Sequence, residues 1–140
     1  MHRILLPIDT NEERAEKCAR FIASLPQAAD TVSVHILNVF KEIEGPGEST
    51  MGADSEDLFD ESAIPQSVEV AETHLQENGI AVTVERVHGD PAEEILNKAN
   101  EGDIDQIVMS GRKRSPVGKV LFGSVTQAVL LSTDKPITVM

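Results

Sequence analysis

Apolar residues recur along this chain in two alternating rhythms: short runs that are apolar at nearly every position, and longer stretches that are apolar at every third or fourth. The first rhythm reads as strands covered on both faces and the second as amphipathic helices. Arg3–Ile8 is an apolar strand closed by Pro7 and Asp9, and Asn11–Leu25 is a helix that places Ala15, Cys18, Ile22 and Leu25 on one face. Val32–Val39 (VSVHILNV) is rich in β-branched residues and nearly continuous in its apolar character, which predicts a buried strand. Helical spacing resumes over Ala63–Asn78 through Val68, Ala71 and Leu75, and Asn78-Gly79 supplies the residue types that stop a helix. Ile80–His88 (IAVTVERVH) alternates as a strand does. At Asp90-Pro91-Ala92-Glu93 several start signals coincide: an N-cap, a proline for the first helical position and an acid in the first turn. The helix they open is expected to end near Gly102. Ile104–Met109 is the fourth strand, Gly123–Ser132 the fourth helix and Pro136–Met140 (PITVM) the last strand.

The predicted order is βαβαβαβαβ, which implies an α/β fold with a parallel sheet between two helical layers. Ligands of such sheets bind beyond the strand C-termini, where the winding reverses. If the first and fourth strands flank that point, Asp9 and Met109–Gly111 come together across it. Periodicity does not supply the strand order on which this depends.

The chain has 140 residues, 40% of them hydrophobic, which suits a single domain over 1–140 with a real core. Residues 41–62 are acidic, with Gly and Ser, and are expected to form a flexible loop within it. The opening apolar run is too short for a signal peptide, nothing resembles a membrane span, and the expected location is the cytoplasm. Cys18 has no partner for an intramolecular disulfide and is expected to be a small buried hydrophobe. Net charge is −12, and the stretch from Glu42 to Glu85 holds 12 of the 24 acids with no Lys or Arg. Such a field repels nucleic acid, and without Trp or Tyr there is no base-stacking platform. Adaptation to high salt and ordinary solubilising charge both fit this acidity.

Against that background, residues 106–133 carry Arg112, Lys113, Arg114 and Lys119 and no acid. A strand runs out at Met109-Ser110, a glycine-bearing loop follows, and Gly123-Ser124 opens a helix. Strand, loop and helix N-terminus form an arrangement that favours phosphate. The standard motifs fail here. Gly111 and Gly118-Lys119 do not have P-loop spacing, and Val120 stands where a Mg²⁺-binding hydroxyl belongs. G-x-G-x-x-G follows no strand, and no aspartate closes the third strand as a phosphoacceptor would. His2, His35, His74 and His88 lack ligand spacing, Glu93 and Glu94 read as helix-start acids, and no catalytic triad is visible.

Taken together, the segments ILLPIDT, HILNV, HGDPAEEIL, IVMSGRKRSPVGKVLFGSV and DKPITVM resemble the universal stress protein family. The resemblance spans the chain apart from the acidic stretch. It implies a doubly wound five-stranded parallel sheet with helices on both faces, and a homodimer. One branch of that family binds ATP through G-x-x-G-x9-G-[ST]. In this chain Ser110 falls where the first glycine would be, Gly111 comes one place later, and Lys113 or Arg114 replaces the middle glycine. A lost glycine removes a close backbone approach, while Arg and Lys can substitute charge-assisted hydrogen bonds. By resemblance, Pro7, Asp9 and Val39 would border the nucleoside and Met109, Ser110 and Gly111 the ribose. Arg112, Lys113, Arg114, Gly123, Ser124 and Val125 would meet the phosphates. Each also has an ordinary reading: Pro7 as a strand end, Asp9 or Ser124 as a cap, Val39 as core, the cations as a solvated face. The expectation is a nucleotide-binding regulatory dimer that takes ATP, with or without Mg²⁺, and at most hydrolyses it slowly. The alternative is a nucleotide-free interaction protein that meets an unidentified partner through the basic loop. An adenylating enzyme is disfavoured, because an S-G-G-x-D-S-like loop is missing. The apolar Pro136–Met140 is expected to pair with its copy across a twofold axis.

Overall fold

A computed structural model of the protein describes residues 1–40, 64–111 and 123–140. The acidic stretch 41–62 and the cations Arg112, Lys113, Arg114 and Lys119 lie outside the described residues. In chain order the elements are β1 (His2–Pro7), α1 (Glu12–Ala23), α2 (Ala28–Thr31), β2 (Val32–Phe40), α3 (Gln66–Glu77), β3 (Ala81–His88), α4 (Pro91–Ala99), β4 (Gln106–Met109), α5 (Ser124–Ser132) and β5 (Ile137–Val139).

The helix starts follow from capping chemistry. Asn11 is extended and its side chain accepts from the Arg14 N–H at 2.8 Å, while Asp90 accepts from the Glu93 N–H at 3.0 Å with Pro91 at the first helical position. Other boundaries differ from the sequence reading for local reasons. Pro65 is the N-cap of α3, so that helix begins at Gln66. α4 stops at Ala99 with Asn100 as its C-cap, and Gly102, at φ +103°, takes the turn beyond. β4 begins at Gln106 because Asp105 is held by Arg3: its N–H donates to the Arg3 carbonyl at 2.8 Å and its Oδ2 accepts from the Arg3 N–H at 2.9 Å. The single turn α2 was not anticipated. It follows Gln27, which is left-handed at φ 57°, and it is too short to carry a periodicity.

The sheet has five strands in the order β3-β2-β1-β4-β5, and every pairing is parallel. The chain winds outward from β1 to β3, then crosses back to lay β4 on the other side of β1. The winding therefore reverses between β1 and β4. Successive β1 residues serve opposite layers. Ile4 and Leu6 pack with Val34, Ile36 and Val108 beneath α1 and α3, where Ala19, Ile22, Ala71 and Leu75 close the layer. Leu5 packs with Leu37, Ile107 and Met109 beneath α4 and α5, against Ile95, Ala99 and Val129. Ile4, Leu5 and Leu6 are all fully buried, which is why β1 reads as a continuous apolar run rather than an alternating one. Full burial of each such side chain contributes about 1.5–3 kcal/mol.

Candidate functional site

At the C-terminal end of the sheet the reversal opens a cleft of about 170 Å³. Pro7 and Ile8 from the end of β1, Leu37 and Val39 from β2, Met109 from β4 and Ile95 from α4 make most of its wall apolar. The end of β1 is pinned there by buried hydrogen bonds. The Ile8 N–H donates to the Leu37 carbonyl at 2.9 Å, and Asn38 Nδ2 donates to the Ile8 carbonyl at 2.8 Å. Asn38 is satisfied in turn, because Arg86 Nε donates to its Oδ1 at 3.1 Å while the Arg86 guanidinium lies 4.4 Å above the Phe40 ring.

Polar groups enter the cleft from both helical layers. Asp9 lines it, its Oδ1 accepting from the Asn11 N–H at 2.9 Å and its Oδ2 from Arg14 at 2.6 Å. Its carbonyl accepts from Ser67 Oγ at 2.5 Å, which ties the first turn of α3 to the β1–α1 turn. From the opposite layer, Val125 and Thr126 bring the first turn of α5 to the wall, and Thr126 Oγ1 donates to the Ser110 carbonyl at 3.2 Å. Cys18 also lines the cleft, and burial pushes its thiol up to about 11, with smaller influences from Lys17 and Arg14, which lower it, and Asp9, which raises it. At neutral pH it is a protonated, unreactive wall group.

Of the residues picked out in the sequence, Pro7, Asp9, Val39, Met109, Ser110 and Val125 meet around this one cleft. Gly111, Gly123 and Ser124 are not part of its wall. The Gly111 N–H donates to the Met140 carbonyl at 3.4 Å. Gly123 is the N-cap of α5 and Ser124 its first helical residue, so Ser124 is not the cap. Gly123 has φ −62°, which any residue adopts, and among the described residues a Cβ there would meet nothing within 4 Å. Neither backbone strain nor packing among those residues calls for a glycine. Sequence reasoning missed Arg14, Cys18, Pro91, Ile95 and Thr126, which also line the cleft. Two had a legible signal, since Thr126 and Arg14 each sit in the first turn of a helix, α5 and α1. Which helix faces reach the same cleft follows only from the sheet order.

A second hollow of about 300 Å³ lies beside the starts of β1, β2 and β3, lined by residues that include Arg3, Ser33, His35, Thr83 and Lys98. Beside it, Glu85 Oε1 lies 2.8 Å from both His35 Nε2 and Lys98 Nζ. Lys98 and then His35 hold the Glu85 carboxyl below its ordinary range, and Glu85 holds the Lys98 ammonium above its own. Among the described residues no group of three or more His, Cys, Asp or Glu is placed to hold a metal ion, and no helix is long and apolar enough to cross a membrane.

The universal stress protein family model matches residues 1–140. A universal stress protein of Mycolicibacterium smegmatis is 35% identical over 94 residues, covering 65% of this chain and 72% of that one. The solved structure of the Methanocaldococcus jannaschii protein MJ0577 superposes with a TM-score of 0.76 at 27% identity, over 99% of this chain and 94% of that one. The structure of an Archaeoglobus fulgidus universal stress protein in complex with dAMP superposes at 0.68 with 21% identity, over 99% and 97% of the two chains, and shares the fold.

Proposed function

The chain belongs to the universal stress protein family, and from that premise we propose that it binds an adenine nucleotide, ATP or a close relative, in the cleft between β1 and β4. The observation that carries this reading is the arrival of the α5 first turn at an apolar cleft that also holds one carboxylate. An apolar slot suits the two faces of a purine, a carboxylate accepts from sugar hydroxyls, and a helix N-terminus offers N–H groups and positive potential to phosphate. The slot is smaller than the roughly 300–1,000 Å³ of pockets that enclose a whole drug-sized ligand. It would take the nucleoside and leave the phosphates to the helix end beside it. Among the described residues, the space over Gly123 is open to such an approach. Arg112, Lys113 and Arg114, which follow directly on Gly111, would add cationic donors. Any Mg²⁺ would arrive on the phosphates and neutralise part of their charge. The dAMP complex of the Archaeoglobus fulgidus protein, which shares this fold, is consistent with the reading.

In this proposal the nucleotide is a regulatory ligand of a cytoplasmic stress-response dimer, with pairing through β5, an edge strand of the sheet. Val139→Lys should then shift the mass measured by light scattering from dimer toward monomer while leaving the melting transition cooperative. Native mass spectrometry of the purified protein with added ATP, ADP and AMP tests the ligand. A stoichiometric adduct is expected. Its absence, together with no thermal stabilisation by any of the three at low or high salt, would leave the same fold acting without nucleotide.

A further inference from the structure

Arg14 stands on the wall of the cleft, and nothing in the nucleotide reading yet uses it. The cap that starts α1 also aims this side chain. Asn11 accepts the Arg14 backbone N–H at 2.8 Å, its own N–H holds Asp9 Oδ1 at 2.9 Å, and the Arg14 guanidinium returns to Asp9 Oδ2 at 2.6 Å. Asp9, Asn11 and Arg14 thus close into one unit at the cleft mouth. The Arg14 side chain is only 25% exposed and that of Asp9 60%, so the pair reaches from solvent toward the wall. Charges so placed are screened less than those of a fully exposed pair. The Cys18 thiol on the same wall registers both: Asp9 pushes its pKa up and Arg14 pushes it down.

We infer that Arg14 neutralises Asp9 at the cleft mouth, and by doing so lets the cleft prefer a phosphorylated nucleoside over an uncharged one. This rests on the cleft being a nucleotide site. The protein carries a net charge of −12, and Asp9 without its partner would add an uncompensated carboxylate where the ligand enters. Every negative charge on the ligand would feel it, whereas adenosine would not. Arg14 is a positioning residue in this account: it acts through Asp9 and need not touch the ligand.

The test is calorimetric titration of the whole protein with ATP and with adenosine, comparing wild type, Arg14→Ala, Arg14→Gln, Arg14→Lys and the double variant Arg14→Ala/Asp9→Asn. Arg14→Ala should lower the ratio of ATP affinity to adenosine affinity about tenfold. Arg14→Gln, which keeps most of the packing, should do the same, and Arg14→Lys should preserve the ratio because it preserves the charge. In the double variant the ratio should return to the wild-type value, although both affinities fall with the loss of the carboxylate. In about 1 M salt, where the screening length is about 3 Å, the gap should close. Equal losses for the two ligands, or a double variant that keeps the Arg14→Ala ratio, would overturn the inference while leaving the site intact. A wild-type protein that binds neither ligand would overturn the site and the inference together.

Discussion

Two hollows among the described residues sit at opposite ends of the same sheet, and the larger is the poorer candidate site. The hollow at the strand starts offers about 300 Å³ against about 170 Å³ for the cleft between β1 and β4. Its charged groups are already committed: His35 and Lys98 to Glu85 beside it, Lys98 also to Glu101 at 3.4 Å, and Arg3 to Asp103 at 3.5 Å. A ligand entering it would have to break those pairs before making its own contacts. The cleft instead has a mostly apolar wall with a few polar groups held in place, and it lies where the winding of the sheet reverses. Recognition depends on what a space presents more than on how large it is.

The sharpest way to break this contrast is at the α5 end of the cleft. Ser124→Asp puts a carboxylate in the first turn of a helix, a position where acids are well tolerated, so the fold should hold or gain slightly. ATP affinity should nevertheless fall at least about 100-fold, because the new charge stands where phosphate is proposed to lie. Calorimetry and a melting curve on the same sample separate the two effects. Retained ATP binding in this variant would move the phosphates away from α5.

A chemical probe of the cleft wall sharpens the comparison from the other side. With its thiol held up near 11 by burial, Cys18 should react with a disulfide reagent at neutral pH far more slowly than an unfolded control. Saturating ATP should slow it several-fold further, because the same cavity is the route to the sulfur. Labelling at the unfolded rate would contradict the packing of α1 on the sheet.

The hollow at the strand starts should answer to stability rather than to ligand. Glu85→Gln removes the charge that both His35 and Lys98 face, and should cost about 1 kcal/mol by urea titration, in the range of partly exposed pairs. ATP affinity should stay within a factor of two. A variant that lost nucleotide and kept its stability would reverse the roles assigned to the two ends.

The smallest effect is in pH dependence. The folded-state pKa of Glu85 is depressed below its ordinary value near 4.5, mainly by Lys98. Its contribution is therefore complete above that value and lost as pH falls through the depressed folded pKa. Lys98 has the opposite sign: its pKa is raised above 10.5, so its contribution is complete below 10.5 and lost as pH rises through the raised value. Glu85→Gln should flatten both limbs of the melting temperature against pH. A wild-type acid limb kept unchanged in the variant would assign it to other carboxylates.

How much of this was legible beforehand varied with distance along the chain. The caps at Asn11 and Asp90 were readable because a helix start needs only a side chain that can reach N–H groups a few residues on, and the structure holds those bonds at 2.8 and 3.0 Å. Of the nine picked-out residues that fall among the described ones, six meet in the cleft because they end strands β1, β2 and β4 or open α5. The one-turn α2 escaped because four residues are too few to show a period. The end of α4 was read too late because Asn100 and Gly102 both look like stops, and only the backbone shows that Asn100 is the cap.

By itself the sequence determined the types of the longer elements and the two-sided burial of β1 and β2, because both are set by the spacing of apolar residues along one strand or helix. It also determined the acidity and the local caps, which depend on near neighbours. Only the tertiary structure decided that β1 lies between β2 and β4, and so that Asp9 and Ser110 share a cleft. The same decision brought Arg14 from one helical layer and Thr126 from the other to a single wall, while Glu85 of β3 and Lys98 of α4 met outside it. Periodicity records which face of an element is buried and carries no label for its partner. Strand order emerges from the packing of the whole chain, and the cleft exists only once that order is set.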